Sequence, residues 1–221
     1  MIKLEFLFDE EKDLWNIWDS CNHDSRWNDF KKNINAKILK ICVGKEFKDC
    51  KEELREYMQK FYNSKIIEIF LESLKKSWKK INGDFFDRIK KVTKNDFPFD
   101  EVKVYITTSG RSPYNWKEPS FMVSVFYSLP HALNTCGHEL LHIQFHNTYW
   151  EQIEEKIGKE KTADLKEALT ILLNLEFKDL WFAKDKGYEC HKELREFIKK
   201  TWEEKKDFGI LLEKCVKYLK E

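Results

Sequence analysis

Residues 138–142 read His-Glu-Leu-Leu-His, inside a run to His146 that contains neither Gly nor Pro, so the spacing predicts one continuous helix. Positions four apart share a helical face, one turn from each other, and His138 and His142 can therefore aim imidazole nitrogens at one point. That is the geometry a zinc ion requires. Glu139 lies about 100° around the helix, beside such an ion but off the line of its ligands, where it can reach a water. In this pattern the histidines hold zinc, zinc lowers the pKa of a water to about 7, and the glutamate accepts the proton. Leu140, Leu141, Ile143 and Phe145 surround the polar triplet, which predicts a buried helix whose histidines and acid need partners. A pair of core histidines satisfied by other side chains is the plainer reading of the same residues.

A catalytic zinc normally takes three protein ligands and leaves a fourth position open. His146, Glu151, Glu154, Glu155, Glu160, Glu167 and Glu176 are the candidates downstream. His146 shares the face of His138 and His142, but a straight helix carries it roughly 6 Å further along, beyond ligand reach. Glu176 falls amid Leu165, Leu169 and Leu172 on a helical wheel, where an unpaired carboxylate is costly and wants a cation.

The elements that must position these groups follow from periodicity. Ile2, Leu4, Phe6 and Phe8 alternate with other residues, a strand pattern able to join a sheet formed later in the chain. Residues 9–96 read as helical. Leu14, Trp15, Ile17 and Trp18 make one apolar stripe, and Trp27, Phe30, Ile34, Ile38 and Ile41 the next. Asp49 with Glu52 resembles a capping box, Ser64 can cap the following helix, and Asn82-Gly83 is expected to stop it before a short helix through Phe85 and Val92. Residues 102–108 and 121–127 are β-rich and separated by a loop, which predicts a hairpin or adjacent antiparallel pair leading into the histidine helix. A charged stretch, 151–161, separates that helix from a strongly apolar one over 162–184, and two amphipathic helices close the chain.

Forty Lys and Arg against 39 Asp and Glu leave a net charge of +1, so no global field favours nucleic acid or an anionic membrane. The aromatic content of 15% excludes general disorder. The N-terminus is too short and charged for a signal peptide and no long apolar run occurs, so a soluble, cytoplasmic protein is expected, with no membrane segment. Its six cysteines show no C-x-x-C pair and read as buried thiols. His23 reads as a solvated surface histidine.

With His138, Glu139 and His142 on one helix and a second apolar helix downstream, the chain resembles the gluzincin class of zinc metallopeptidases. The resemblance covers roughly residues 102–184. It implies Glu167, on that second helix, as the third zinc ligand, in preference to its rival Glu176. The chain departs from the class where Lys166 replaces the Asn that often precedes this glutamate, and where Ile171 stands in place of an acid that often orients a zinc histidine. Asn174, two turns beyond Glu167, can take over that orientation. The class also implies a strand above the metal that holds an extended peptide by main-chain hydrogen bonds, here 121–127, and a transition-state donor among Tyr127, His131, His146 and Tyr149.

The expected architecture is thus α+β, mostly helical, with a zincin-like core and a small antiparallel sheet. A helical region, 1–95, precedes the metallopeptidase region, 96–221. Its role is to cover the cleft, bind a partner or complete the core. The expected activity is zinc-dependent hydrolysis of a peptide or protein substrate, with Glu139 as base. The alternative is a non-catalytic, partner-binding protein built around a structural zinc.

Overall fold

The computed structural model describes residues 2–220. The first strand, β1 (Lys3–Phe8), leads into α1 (Glu10–Asn22), whose first turn is capped by the Asp9 side chain accepting from the Lys12 amide. Leu14 and Ile17 of α1 are buried together with residues of α2 (Ala36–Cys42) and α3 (Phe47–Tyr62), forming a small apolar cluster. Trp15 lies outside that stripe and is exposed, and the expected stripe from Trp27 to Ile41 is helical in α2 only at its far end. Glu46, not Asp49, occupies the cap position of α3, which places Asp49 in the helix's first turn.

The next helix, α4 (Ile66–Thr93), runs straight through Asn82-Gly83, where a stop was expected. Two contacts explain this. The Asn82 side chain accepts from Trp78 Nε1 at 2.8 Å and donates to the Ile2 carbonyl at 2.9 Å. It therefore serves tertiary packing and does not compete for the helix's own backbone. Leu74, Trp78, Phe85, Ile89 and Val92 keep one buried stripe through the glycine. Lys65, not Ser64, precedes the first turn of α4.

β2 (Glu101–Thr107), β3 (Tyr114–Asn115) and β4 (Ser120–Ser124) complete a four-stranded sheet in the order β1-β2-β4-β3. The expected antiparallel pairing of the two β-rich runs is overturned, because β2 pairs with β4 in parallel, Val104 opposite Phe121 and Ile106 opposite Val123. The connecting loop is long enough to carry the chain back, and β3 lies antiparallel to β4 on its way. An unbroken buried run, Phe121 to Val125, suits an interior strand covered on both faces. The strand over 121–127 is therefore not an edge, and β3 is. β1 pairs with β2 in parallel and forms the opposite edge, so the sheet is mixed and mainly parallel.

α5 (Leu129–Thr148) follows directly from β4 and carries the histidines; Leu140, Ile143 and Phe145 sink into the main core. The charged stretch expected to separate two helices is itself helical, within α6 (Trp150–Ala168), and breaks only at Gly158, whose φ of 78° and ψ of 163° favour glycine. The apolar helix expected over 162–184 is three pieces: the end of α6, then α7 (Ile171–Glu176) and α8 (Lys178–Trp181). α9 (Lys192–Lys205) and α10 (Phe208–Lys220) pack on α6. The main core gathers α4, β1, β2, β4, α5 and everything downstream. No helix among the described residues is long and apolar enough to cross a membrane.

Candidate metal centre

α5 can enter the core closely because Gly137 faces two aromatic rings. A Cβ there would stand 2.6 Å from the Trp181 ring and 3.2 Å from Phe85. The next residue is His138, so this approach sets how deep the imidazoles sit. The end of α6, redirected at Gly158, then brings Glu167 across from α5.

The three groups meet. Donor atoms of His138, His142 and Glu167 lie within 4.8 Å of one another. Glu167 Oε2 stands 3.6 Å from His138 Nε2 and 3.3 Å from His142 Nε2. Ligands about 2.0–2.2 Å from a tetrahedral ion are separated by roughly 3.3–3.6 Å, so the two distances from Glu167 to the histidines are those between corners of such an ion's shell. His142 is 2% exposed, and neither of its ring nitrogens has a hydrogen-bond partner. A buried imidazole left in that state is costly unless an electron-pair acceptor occupies the point its nitrogen faces. Burial pushes its pKa down to about 3, so the ring is neutral and its lone pair available. The donor set of two nitrogens and one oxygen, its spacing and the orphaned imidazole all fit zinc.

Neighbouring side chains hold His138 and Glu167 in place. His138 Nδ1 donates to Asp185 Oδ2 at 2.7 Å, which turns Nε2 toward Glu167. Asp185 is itself held. Its Oδ1 lies 2.9 Å from Arg195 and 2.9 Å from the Thr170 hydroxyl, and Asn174 takes both its backbone groups, donating to the carbonyl at 2.7 Å and accepting from the amide at 2.8 Å. Asn174 thus acts on the histidine only through Asp185. Burial opposes the Asp185 charge, but His138 and Arg195 hold its carboxyl down at about 2. His138 responds in kind: burial alone would lower its pKa, and the carboxylates of Asp185, Glu167 and Glu139 together outweigh that and hold it well above the ordinary value.

Lys166, a departure from the gluzincin pattern, proves to be buried beside Glu167. Its Nζ donates to Glu167 Oε1 at 2.7 Å and to the Tyr114 hydroxyl at 3.1 Å, and it sits 4.7 Å from the Tyr114 ring centroid. The ammonium occupies one carboxylate oxygen and leaves the other to face the histidines. Burial works against the Lys166 charge, yet Glu167 and Tyr114 keep its pKa above the ordinary value.

His138, Lys166, Glu167 and Asp185 open on a cleft of about 560 Å³, lined also by Glu139, Tyr114, Tyr127, His131 and Tyr188. Burial pushes the Glu139 carboxyl up to about 7. Loop residues 23–30 form one wall, including His23, which is exposed but borders the cleft. That wall is fastened by Asp164 of α6, which accepts from Arg26 at 2.8 Å and from Trp27 Nε1 at 3.0 Å, while the Trp27 ring stacks on Tyr188. The N-terminal half therefore both completes the core, through β1 and α4, and borders the cleft.

Other expected candidates lie elsewhere. The Glu176 carboxylate accepts from Trp202 Nε1 at 2.7 Å and pairs with Lys206, so the cation it wants is a lysine. His146 is stacked between Trp150, at 4.1 Å, and Trp116, at 5.3 Å. Tyr149 is held in the core, donating to the Thr93 carbonyl at 2.8 Å and accepting from Asn95 at 2.7 Å. Among the four expected donors only Tyr127 and His131 border the cleft. Five cysteines are buried as expected, and Cys190 is exposed. Asp185 and Tyr114 were not singled out in the sequence, and neither carries a local signal: each sits in an irregular or two-residue segment that only the fold brings to the helix. Searches of known protein families, characterised proteins and solved structures find nothing that matches this chain.

Proposed function

We propose that this chain is a zinc-dependent peptide hydrolase with a zincin-like core, in which His138, His142 and Glu167 hold the ion and Glu139 is the general base. The observation that carries the reading is the orphaned, neutral His142, buried and facing Glu167 at 3.3 Å, while Glu167 and His138 line a cleft. Bound there, zinc supplies Lewis acidity toward a carbonyl and brings the pKa of a water near 7. Glu139 borders the same cleft and takes the proton from the attacking water, then returns it to the leaving amine. In the metal-free protein, burial raises this carboxyl to about 7. Asp185 holds His138 in the tautomer that presents Nε2, and Lys166 keeps Glu167 to one free oxygen. Tyr127, His131, Tyr114 and Tyr188 are the polar side chains able to meet a developing oxyanion from the cleft walls.

An extended substrate main chain is best received along β3, the sheet edge whose Tyr114 stands 5.3 Å from the His142 ring. A structural zinc is disfavoured by the cleft itself, since a closed site has no need of one. The test is Glu139→Gln against wild type, with zinc content and hydrolysis of a peptide library measured on both. Zinc should stay at one ion per chain while the rate falls by about 10² to 10⁴. Zinc-dependent hydrolysis that persists undiminished in the Gln variant rules Glu139 out as base.

A further inference from the structure

The sheet's other edge, far in sheet order from the metal centre, is built differently from β3. β1 pairs on one side only, with β2. The Lys3 amide donates inward to the Asp100 carbonyl at 2.8 Å, and in a parallel ladder alternate residues face opposite edges. The amides and carbonyls of Leu4 and Phe6 therefore face outward. One outward group is already met: the Ile2 carbonyl accepts from Asn82 on α4, as it would from a neighbouring strand. Beyond it, β1 and α4 enclose a groove of about 470 Å³ with an apolar floor of Ile2, Leu4, Phe6 and Trp78.

The rim has a sign. Lys3, Lys75, Lys76 and Lys79 border it against the single acid Glu72. Lys3 is paired with Glu101 and Lys75 stands 3.8 Å from Glu72, while Lys76 and Lys79 are exposed and meet no carboxylate among the described residues. Natural edge strands are commonly blunted by charge, and a lysine rim repels a second copy of itself. A floor of alternate apolar residues beneath free backbone groups is what a strand requires, and the lysines select its charge.

We infer that the groove between β1 and α4 is a docking site for an extended, acidic segment of a partner protein, which adds to the sheet beside β1, sets alternate apolar side chains on Leu4, Phe6 and Trp78, and directs carboxylates to Lys76 and Lys79. The segment is recognised by its backbone and by alternation, and polynucleotides supply neither. This inference is independent of hydrolysis at the metal centre.

The probe is a fluorescent eight-residue peptide of alternating Val and Glu, titrated with the full chain and followed by anisotropy, with a Val/Lys peptide and a DNA oligonucleotide as controls. Saturable binding of the acidic peptide is expected, weakening with salt. Lys76→Glu with Lys79→Glu should weaken it at least tenfold. Leu4→Pro removes one outward amide and leaves the bonds to β2, so it should also weaken binding at least tenfold while circular dichroism is kept. Should that variant not fold, hydrogen exchange decides in wild type: the Leu4 and Phe6 amides must slow when the peptide is bound. Absence of binding up to millimolar peptide overturns the inference. So do equal binding of the Val/Lys peptide or DNA, self-association through this edge, and amides whose exchange does not change.

Discussion

Replacing Asp185 by Asn keeps the shape of the side chain and removes its charge, and the surroundings leave the amide no good orientation. Asp185 now accepts from His138 on one oxygen and from Arg195 on the other, with the Thr170 hydroxyl 2.9 Å from the latter. If the Asn oxygen faces His138, its NH2 meets the guanidinium, donor against donor. If the amide turns round, His138 must accept at Nδ1 and carry its proton on Nε2, the atom that faces Glu167 at 3.6 Å. Either way the imidazole is held less well as a ligand. Loss of such a partner typically lowers metal affinity by about 10- to 100-fold, or roughly 1.4 to 2.7 kcal/mol. Arg195 keeps its bonds to the Asp185 carbonyl, at 2.9 Å, and to Thr170, at 2.7 Å, so the fold should survive. The assay is zinc affinity by competition with a chromophoric chelator, with thermal unfolding as control. Thr170→Val removes a hydroxyl that meets the far oxygen, Arg195 and the Glu167 carbonyl, but it leaves the bond from His138 to Asp185 intact and should cost less affinity. Zinc binding in Asp185→Asn equal to wild type, or a loss no larger than that of Thr170→Val, refutes the role given to Asp185.

Three further outcomes follow from the same geometry. In metal-free protein the Glu139 carboxyl is raised to about 7 by burial, so its contribution to stability is complete below its unfolded value and is lost as pH rises through 7. That loss is on the order of 3 kcal/mol, and urea unfolding at about pH 5 and about pH 8 should show it in wild type and not in Glu139→Gln; parallel behaviour of the two proteins contradicts it. Gly137→Ala places a methyl against the Trp181 and Phe85 rings and should destabilise by about 1–3 kcal/mol, offset by at most ~1 kcal/mol of helix propensity; a raised melting temperature would show that the close approach is not needed. Glu176→Ala and His146→Phe should each leave zinc affinity within about twofold, since their partners are Lys206 and two indole rings; a loss comparable to that of Glu167→Ala would return them to the metal.

The sequence by itself determined which side chains share a face within an element, though not where each element starts or stops. The helical repeat puts His138 and His142 on one face, and no tertiary fact was needed to read that pair or Glu139 beside it. Alternation likewise marked β1, and apolar stripes marked the helices, because burial of a single face imprints its period on the chain. The proposed third ligand, Glu167, came from family resemblance, and only the tertiary structure brings it to 3.3 Å from His142, after a turn at Gly158 that periodicity reads as a mere interruption. Strand direction was decided in the same way: β2 and β4 look like a hairpin locally, and the long return through β3 makes them parallel. Asp185, Lys166 and Tyr114 act through contacts spanning 47, 1 and 52 residues respectively, to His138, Glu167 and Lys166. Such pairings leave no period in the chain. They exist because packing desolvates the groups together, and a buried charge is tolerated only where its partner arrives with it.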